Sequence, residues 1–280
     1  MTARMYDDRR PFLATLLALI VLAWLVLWWW ERSPSGTFLR HAEHPAAAIA
    51  RVPSHDASDP VHTLGGHVHD GATGHPSAAL PVVVLGWTLM TTAMMLPTTL
   101  PLLALFHGMT RRRPDRLLLV ALVIAGYLSV WATFGVVAHA GDHRLRALVG
   151  QTGWLAHREW LIGAALPIVA GLYQFTPLKD HCLDRCRSPL GFVMGHWRGR
   201  RERWQALHLG LHHGLFCVGC CWSLMLLMFV VGVGSLGWML LLGAVMAAEK
   251  NLPWGRRLSA PLGAALLAWG SVLLTRGVLA

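Results

Sequence analysis

The sequence predicts an all-α protein, a polytopic transmembrane helix bundle of about seven spans. Apolar residues make up 55% of the 280 residues and charged residues only 14%, whereas soluble domains carry about 25% charged residues. The mean hydropathy is +0.48. Apolar runs near or above ~18 residues, the length that crosses about 30 Å of hydrocarbon, recur along the chain. These observations exclude an ordinary soluble domain.

Seven segments have the length and composition of spans. In chain order they are Phe12–Trp30, Leu80–Phe106, Leu117–Ala138, Trp160–Phe175, Leu207–Val231, Leu236–Ala248 and Leu258–Leu274. The first ends in three tryptophans and no Ala-x-Ala-like site follows directly, which favours an uncleaved helix over a signal peptide. The sixth is short and could be re-entrant, which would leave six spans. It ends at Glu249 and Lys250, which we expect to form an interfacial ion pair.

Basic residues set the predicted orientation. With the N-terminus in the cytoplasm, the inside segments hold 17 Lys and Arg residues and the outside segments hold 7. The positive-inside rule therefore predicts a cytoplasmic N-terminus and an external C-terminus. Loops that face an anionic lipid leaflet account for the net charge of +10, so the predicted partner is the lipid bilayer and not nucleic acid.

The chain divides into an N-terminal helix (1–30), a His-rich outside loop (31–79) and a six-helix membrane domain (80–280). The loop has few large apolar residues and cannot bury a core, so we expect it to be disordered or loosely ordered. It holds seven of the sixteen histidines, among them His67, His69 and His75. His-rich tracts are typical of metal capture, although a polar loop that merely stays soluble would also fit.

All five cysteines fall within 40 residues. Cys182 and Cys186 lie in a predicted cytoplasmic loop, and Cys217, Cys220 and Cys221 lie in the fifth span. Because the cytoplasm is reducing, metal binding or redox chemistry is favoured over structural disulfides.

The fifth span gathers soft ligands on one face. At 100° per residue, six side chains fall within an arc of about 140°. They are His213, Cys217, Cys220, Cys221, Met225 and Met228. Thiolate and thioether donors select Cu(I), with zinc as a second possibility. The alternative is that these residues only pack the bundle.

The second span offers further thioethers. Met90 and Met94 are one helical turn apart, Met95 follows, and we expect Pro97 to break the helix. Neighbouring threonines could satisfy the backbone groups that the proline frees. Core packing of these methionines is the competing interpretation.

Five stretches together resemble a family of bacterial polytopic proteins described as predicted metal-binding integral membrane proteins, some of them labelled copper chaperones. The stretches are Trp87-x-x-Met90-x-x-Ala93-Met94-Met95-x-Pro97; Tyr127-Leu128-x-x-Trp131; Tyr173-Gln174-x-Thr176-Pro177-Leu178-Lys179-x-x-Cys182-Leu183-x-x-Cys186-Arg187-x-Pro189; His213-Gly214-x-x-Cys217-x-Gly219-Cys220-Cys221-Trp222-x-Leu224-Met225; and Trp238-Met239 leading to Glu249-Lys250. The resemblance implies copper handling in the bacterial inner membrane. Where the family tends to have a Met-Asn pair, this chain has Gly234-Ser235, which removes one thioether.

Three functions compete at this point. The leading one is Cu(I) transport, or Cu(I) delivery to a cuproenzyme or metallochaperone partner, in a protein that is not itself an enzyme. In it the outside histidines gather the ion, Met and Cys in the bundle hold it, and Cys182 and Cys186 receive it inside. The alternatives are a membrane thiol–disulfide oxidoreductase using Cys217-x-x-Cys220, and a structural subunit of a larger membrane complex.

Overall fold

The computed structural model describes residues 9–32, 76–152, 160–199, 201–231 and 235–279, and within these ranges it is helical with short turns and no strand. The predicted all-α class is therefore confirmed for the described residues. The helices are α1 Arg9–Arg32, α2 Pro76–Met109, α3 Arg116–Gln151, α4 Trp160–Tyr173, α5 Pro177–Arg187, α6 Pro189–His196, α7 Glu202–Leu226, α8 Met228–Val231, α9 Leu236–Asn251 and α10 Ser259–Leu279, with a 3-10 turn at Gly255–Leu258.

Five stretches in the described ranges are long and apolar enough to cross a membrane: Arg10–Arg32, Pro81–Met109, Arg116–Gln151, Glu202–Val231 and Gly255–Val278. A sixth candidate is the pair α4 and α5, which is bent by 66° between Tyr173 and Pro177. Helix α9, the predicted sixth span, has 16 residues and is about 24 Å long. It is shorter than the hydrocarbon core of a bilayer.

Helix α2 continues through Pro97, so the predicted break there is wrong. A proline leaves the carbonyl four residues earlier without its helical donor. That carbonyl, on Ala93, instead accepts a hydrogen bond of 3.2 Å from Trp24 Nε1 of α1. Thr98 Oγ1 donates to the carbonyl of Met95 at 2.8 Å, as expected for threonines beside a proline in an apolar helix. The backbone of α2 around Met95 is thus held in place from both sides.

Glycines let α3 and α7 approach closely. A methyl group at Gly210 would overlap the carbonyl oxygen of Val123, and one at Gly126 would overlap the carbonyl oxygen of Leu207. Small residues at a helix crossing are the usual means of close packing between apolar helices. The crossing brings Tyr127 of α3 beside Cys217 of α7.

The predicted inside loop that follows the fourth span, 176–205, contains the helices α5 and α6 and the start of α7. In α5 the chain turns at Thr176, whose side chain accepts a hydrogen bond from the Lys179 amide, with Pro177 in the first turn. This is a standard helix start. Cys182 of α5 packs directly on α7, where a methyl group at Gly219 would lie 2.6 Å from its sulfur.

Buried charges join α5, α9 and α10. Lys179 Nζ pairs with Glu249 Oε1 at 2.7 Å, and both side chains are almost fully buried. Gln174 also accepts a hydrogen bond from Lys179, and Ser259 Oγ donates to Glu249 at 2.9 Å. The expected interfacial pair of Glu249 with Lys250 is therefore wrong. Glu249 finds its cation on α5, and Lys250 turns to the other side of α9.

Candidate metal site

Sulfur atoms from three helices meet in the core of the bundle. Cys217, Cys220 and Cys221 of α7 are at most 2% exposed. The thiols of Cys220 and Cys221 donate hydrogen bonds to the carbonyl of Cys217, at 3.1 and 2.9 Å. Cys221 Sγ lies 3.9 Å from Met95 Sδ of α2. On the other side, Cys220 Sγ lies 4.0 Å from Cys186 Sγ of α5.

The two cysteines of α5 join this group instead of lying in a solvated loop. Cys182 is 7% exposed and Cys186 is partly buried. The fold of α5 against Gly219 brings them to α7, which sequence spacing alone did not reveal. We call the six residues Met95, Cys182, Cys186, Cys217, Cys220 and Cys221 the sulfur cluster.

Lys250 of α9 inserts its ammonium into the sulfur cluster. Its Nζ lies 2.9 Å from Cys217 Sγ, and 3.8 Å from both Cys221 Sγ and Met95 Sδ. It also lies 3.4 Å from Thr98 Oγ1. The sequence had predicted only a pairing of Lys250 with Glu249 and not this contact. A helical spacing in the sequence does indicate it: Lys250 lies four, seven and eleven residues after Met246, Gly243 and Met239. It therefore shares one helix face with them.

Tyr127 completes the surroundings of Cys217. Its hydroxyl lies 3.0 Å from Cys217 Sγ, and its ring is 2% exposed. The Tyr127-Leu128 motif was part of the family resemblance, but it had been assigned no role. Cys217 is thus contacted by an ammonium and a phenol at once, which makes it the most polar point of the cluster.

The remaining predicted ligands divide into three groups. Met90, Met94, Met225 and Met228 are buried in the apolar core that surrounds the sulfur cluster. His213 is buried but packs on aromatic rings, with centroids 5.8 Å from Tyr127 and 5.4 Å from Phe192. Its Nδ1 finds no hydrogen-bond partner within the described ranges. His67, His69 and His75 lie outside the described residues, as does most of the loop predicted to be disordered.

In the part of the chain that the structure describes, no group of three or more His, Cys, Asp or Glu side chains converges as a metal site. Two pairs of sulfurs nevertheless have a separation that is compatible with two ligands of one ion. Two sulfurs at about 2.3 Å from one metal in trigonal geometry are about 4.0 Å apart. The Cys221–Met95 and Cys220–Cys186 separations of 3.9 and 4.0 Å fit this spacing. All five cysteines are free thiols.

One family model matches most of the chain and shows which protein family it belongs to. Residues 84–273 match the model of the PpoB2 family, described as copper chaperones. The chain belongs to this copper chaperone family. No curated protein and no solved structure matches it. The match confirms the family suggested by the sequence motifs and includes the whole sulfur cluster and Lys250, whereas the His-rich segment precedes it.

Proposed function

We propose that this copper chaperone is embedded in the bacterial inner membrane, holds Cu(I) on its sulfur cluster and delivers it to a cuproenzyme or a soluble metallochaperone. The observation that carries the proposal is the meeting of five cysteines and one methionine inside an apolar bundle, with two pairs of sulfurs, Cys220–Cys186 and Cys221–Met95, about 4 Å apart. Soft sulfur donors in such surroundings favour Cu(I) over hard cations, which need oxygen ligands.

In the proposed topology the chain crosses the membrane seven times, with the N-terminus in the cytoplasm and the C-terminus in the periplasm. Five helices have the required length, α4 with α5 forms a bent crossing, and α9 is a short one. Large apolar side chains of α1, among them Leu17, Leu22 and Trp29, are about half exposed or more, which suits contact with lipid. The distribution of basic residues supports the same orientation.

The proposed route for the ion follows the soft donors across the bundle. The His-rich segment, including His67, His69 and His75, would gather copper at the outer face. The buried methionines of α2 and of α7 with α8 would lead it to Cys221 and Cys217. Cys220 and Cys186 would then carry it toward the cytoplasmic face, where Cys186 is only partly buried.

Burial argues against the oxidoreductase alternative. Cys217 is fully buried and Cys220 is 2% exposed. Thiol–disulfide exchange requires in-line access of a substrate thiolate to a sulfur atom. A small ion can enter where a dithiol substrate cannot.

The test is the copper content of purified protein after loading with Cu(I). Changing Cys217, Cys220 and Cys221 together to serine alters side-chain size little, so this variant should fold and insert but lose near-stoichiometric copper. A Met239→Leu/Met246→Leu variant changes two other methionines of the same core, leaves every residue of the sulfur cluster in place, and should keep its copper. Retention of copper by the well-folded triple variant would contradict the proposal. Loss of copper only in a Cys182→Ser/Cys186→Ser variant would move the site to α5.

A further inference from the structure

Three histidines meet beside the first half of α7, on a different face of that helix from Cys217. They are His196, the last residue of α6, and His208 and His212 of α7. At 100° per residue, His208 and His212 lie about 180° and about 140° around α7 from Cys217. All three side chains are partly buried, so they keep some contact with the surroundings of the bundle. The proposed route for copper uses none of them.

The contacts of His196 leave one of its ring nitrogens available as a ligand. Its Nδ1 lies 2.8 Å from the carbonyl oxygen of Phe192. Because a carbonyl oxygen can only accept, Nδ1 carries the proton, and in the neutral ring Nε2 keeps its lone pair. The ring is also stacked on that of Phe192, with centroids 4.6 Å apart. Histidines that bind metals are commonly oriented by such a hydrogen bond from the other ring nitrogen to a backbone carbonyl.

His212 and His208 bring two further rings to the same place. Nε2 of His196 lies 2.8 Å from Nδ1 of His212, so ring nitrogens from two helices already meet. His208 precedes His212 by four residues, and the centroids of these two rings are 4.1 Å apart. Two histidines one turn apart on a helix face are the spacing of helical zinc sites, which take a third ligand from another part of the fold.

We propose that His196, His208 and His212 bind a divalent ion of the zinc class, in a second metal site that is independent of the sulfur cluster and of the proposed function. Imidazole nitrogen suits Zn²⁺, whereas thiolate and thioether sulfur select Cu(I). A bound ion would join α6 to α7.

The site needs only a small rearrangement to accept the ion. As described, the three rings do not converge on one point, because His196 and His212 are joined by a hydrogen bond and the ring of His208 lies against that of His212. An ion that replaces the shared proton requires nitrogens about 3.3 Å apart, for two bonds of about 2.0 Å in tetrahedral geometry. This is about 0.5 Å more than the present 2.8 Å, a shift that partly exposed side chains can make.

The test is the rate at which diethyl pyrocarbonate modifies each of these histidines in the full-length protein in detergent, followed by mass spectrometry at increasing Zn²⁺. Zn²⁺ should protect all three together, with one common midpoint. At about ten times Kd the three rates should fall about tenfold, because about nine sites in ten are then occupied. Absence of protection, or a separate midpoint for each histidine, would overturn the inference.

The His208→Gln variant distinguishes metal binding from a purely structural contact. It leaves the hydrogen bond between His196 and His212 in place but removes one ligand. The Zn²⁺ concentration that protects the remaining two should rise by at least about tenfold, since losing even a supporting group of a metal site typically costs that much. His143→Gln is the matched control, because it removes an exposed histidine of α3 that also follows another histidine, His139, by four residues. It should leave the midpoint unchanged. An unchanged midpoint in His208→Gln would overturn the three-histidine site.

The variant with Cys217, Cys220 and Cys221 changed to serine shows whether the two sites are separate. It should keep the full protection by Zn²⁺, because the histidine site shares no ligand with the sulfur cluster. Loss of protection in that variant would overturn the inference. None of these outcomes bears on the copper content that tests the proposed function, so the two proposals can fail separately.

Discussion

Two lysines lie buried in this bundle, and they face opposite kinds of partner. Lys179 of α5 is fully buried and meets the carboxylate of Glu249 and the amide of Gln174. Lys250 of α9 is next to Glu249 in sequence, yet it meets two thiols and a thioether. The first forms an ion pair that joins α5 and α9, and the second lies among sulfur side chains.

The two lysines differ in the charge of the partner groups that would remain in the bundle if each lysine were replaced. A carboxylate is an anion at neutral pH, so Glu249 without Lys179 would be an unpaired buried charge. A cysteine thiol is ordinarily neutral at that pH, so Cys217 without Lys250 can stay uncharged. We therefore expect the loss of Lys179 to destabilise the fold more than the loss of Lys250 does.

The largest expected effect is on folding and comes from Lys179→Leu. Removing one partner of a buried ion pair typically costs about 3–5 kcal/mol. The melting temperature in detergent should fall sharply, and it should fall much less for Lys250→Leu. A Lys179→Leu/Glu249→Leu double variant should recover part of the loss, because it leaves no unpaired charge. Equal falls in melting temperature for Lys179→Leu and Lys250→Leu would contradict this distinction between the two lysines.

A smaller effect is expected from Gly219→Ala, which tests how α5 is held against α7. The added methyl group would lie 2.6 Å from the sulfur of Cys182, so the Cys182 side chain or α5 itself has to shift. Such overpacking costs about 1–3 kcal/mol and should separate Cys186 from Cys220, with weaker copper retention. Gly141→Ala is the matched control, since a methyl group there meets nothing within 4 Å. Unchanged copper retention in Gly219→Ala would show that the α5 cysteines do not contribute.

The smallest effect on stability, and a selective one on copper, is expected from Met95→Leu. Leucine conserves volume, so the stability loss should stay below about 1.5 kcal/mol. Loss of one thioether should weaken Cu(I) binding by about tenfold, or about 1.4 kcal/mol. Met246 is equally buried but is not a member of the sulfur cluster, so Met246→Leu should bind copper as the wild type does. Equal affinities for the two variants would remove Met95 from the site.

Local patterns in the sequence predicted the helices and the family, but not the charged contacts. Apolar runs located the helices of membrane length, and the Cys and Met motifs indicated the copper chaperone family. The segment Pro177–Arg187 instead carries many polar residues, and it was assigned to a loop. Its burial depends on Lys179 pairing with a residue 70 positions away, which no local period encodes.

Lys250 was misplaced for a related reason. An adjacent Glu-Lys pair after an apolar run resembles the polar end of a span, and that pattern does not show that neighbouring residues point to different helices. The one-face arrangement of α7 correctly placed its cysteines in the core. It also grouped His213 with them, whereas the structure packs that ring against Tyr127 and Phe192. The helix face on which a residue lies predicts whether its side chain is buried. Which side chains it contacts depends on the neighbouring helix.

The most direct test of the central claim is the copper K-edge X-ray absorption spectrum of the purified protein loaded with one equivalent of Cu(I). We expect a monovalent copper edge and a first shell made of sulfur, and we expect this shell to be lost when Cys217, Cys220 and Cys221 are changed to serine. A first shell dominated by nitrogen or oxygen, unchanged in that variant, would place the copper on the histidines and contradict a sulfur site in the bundle.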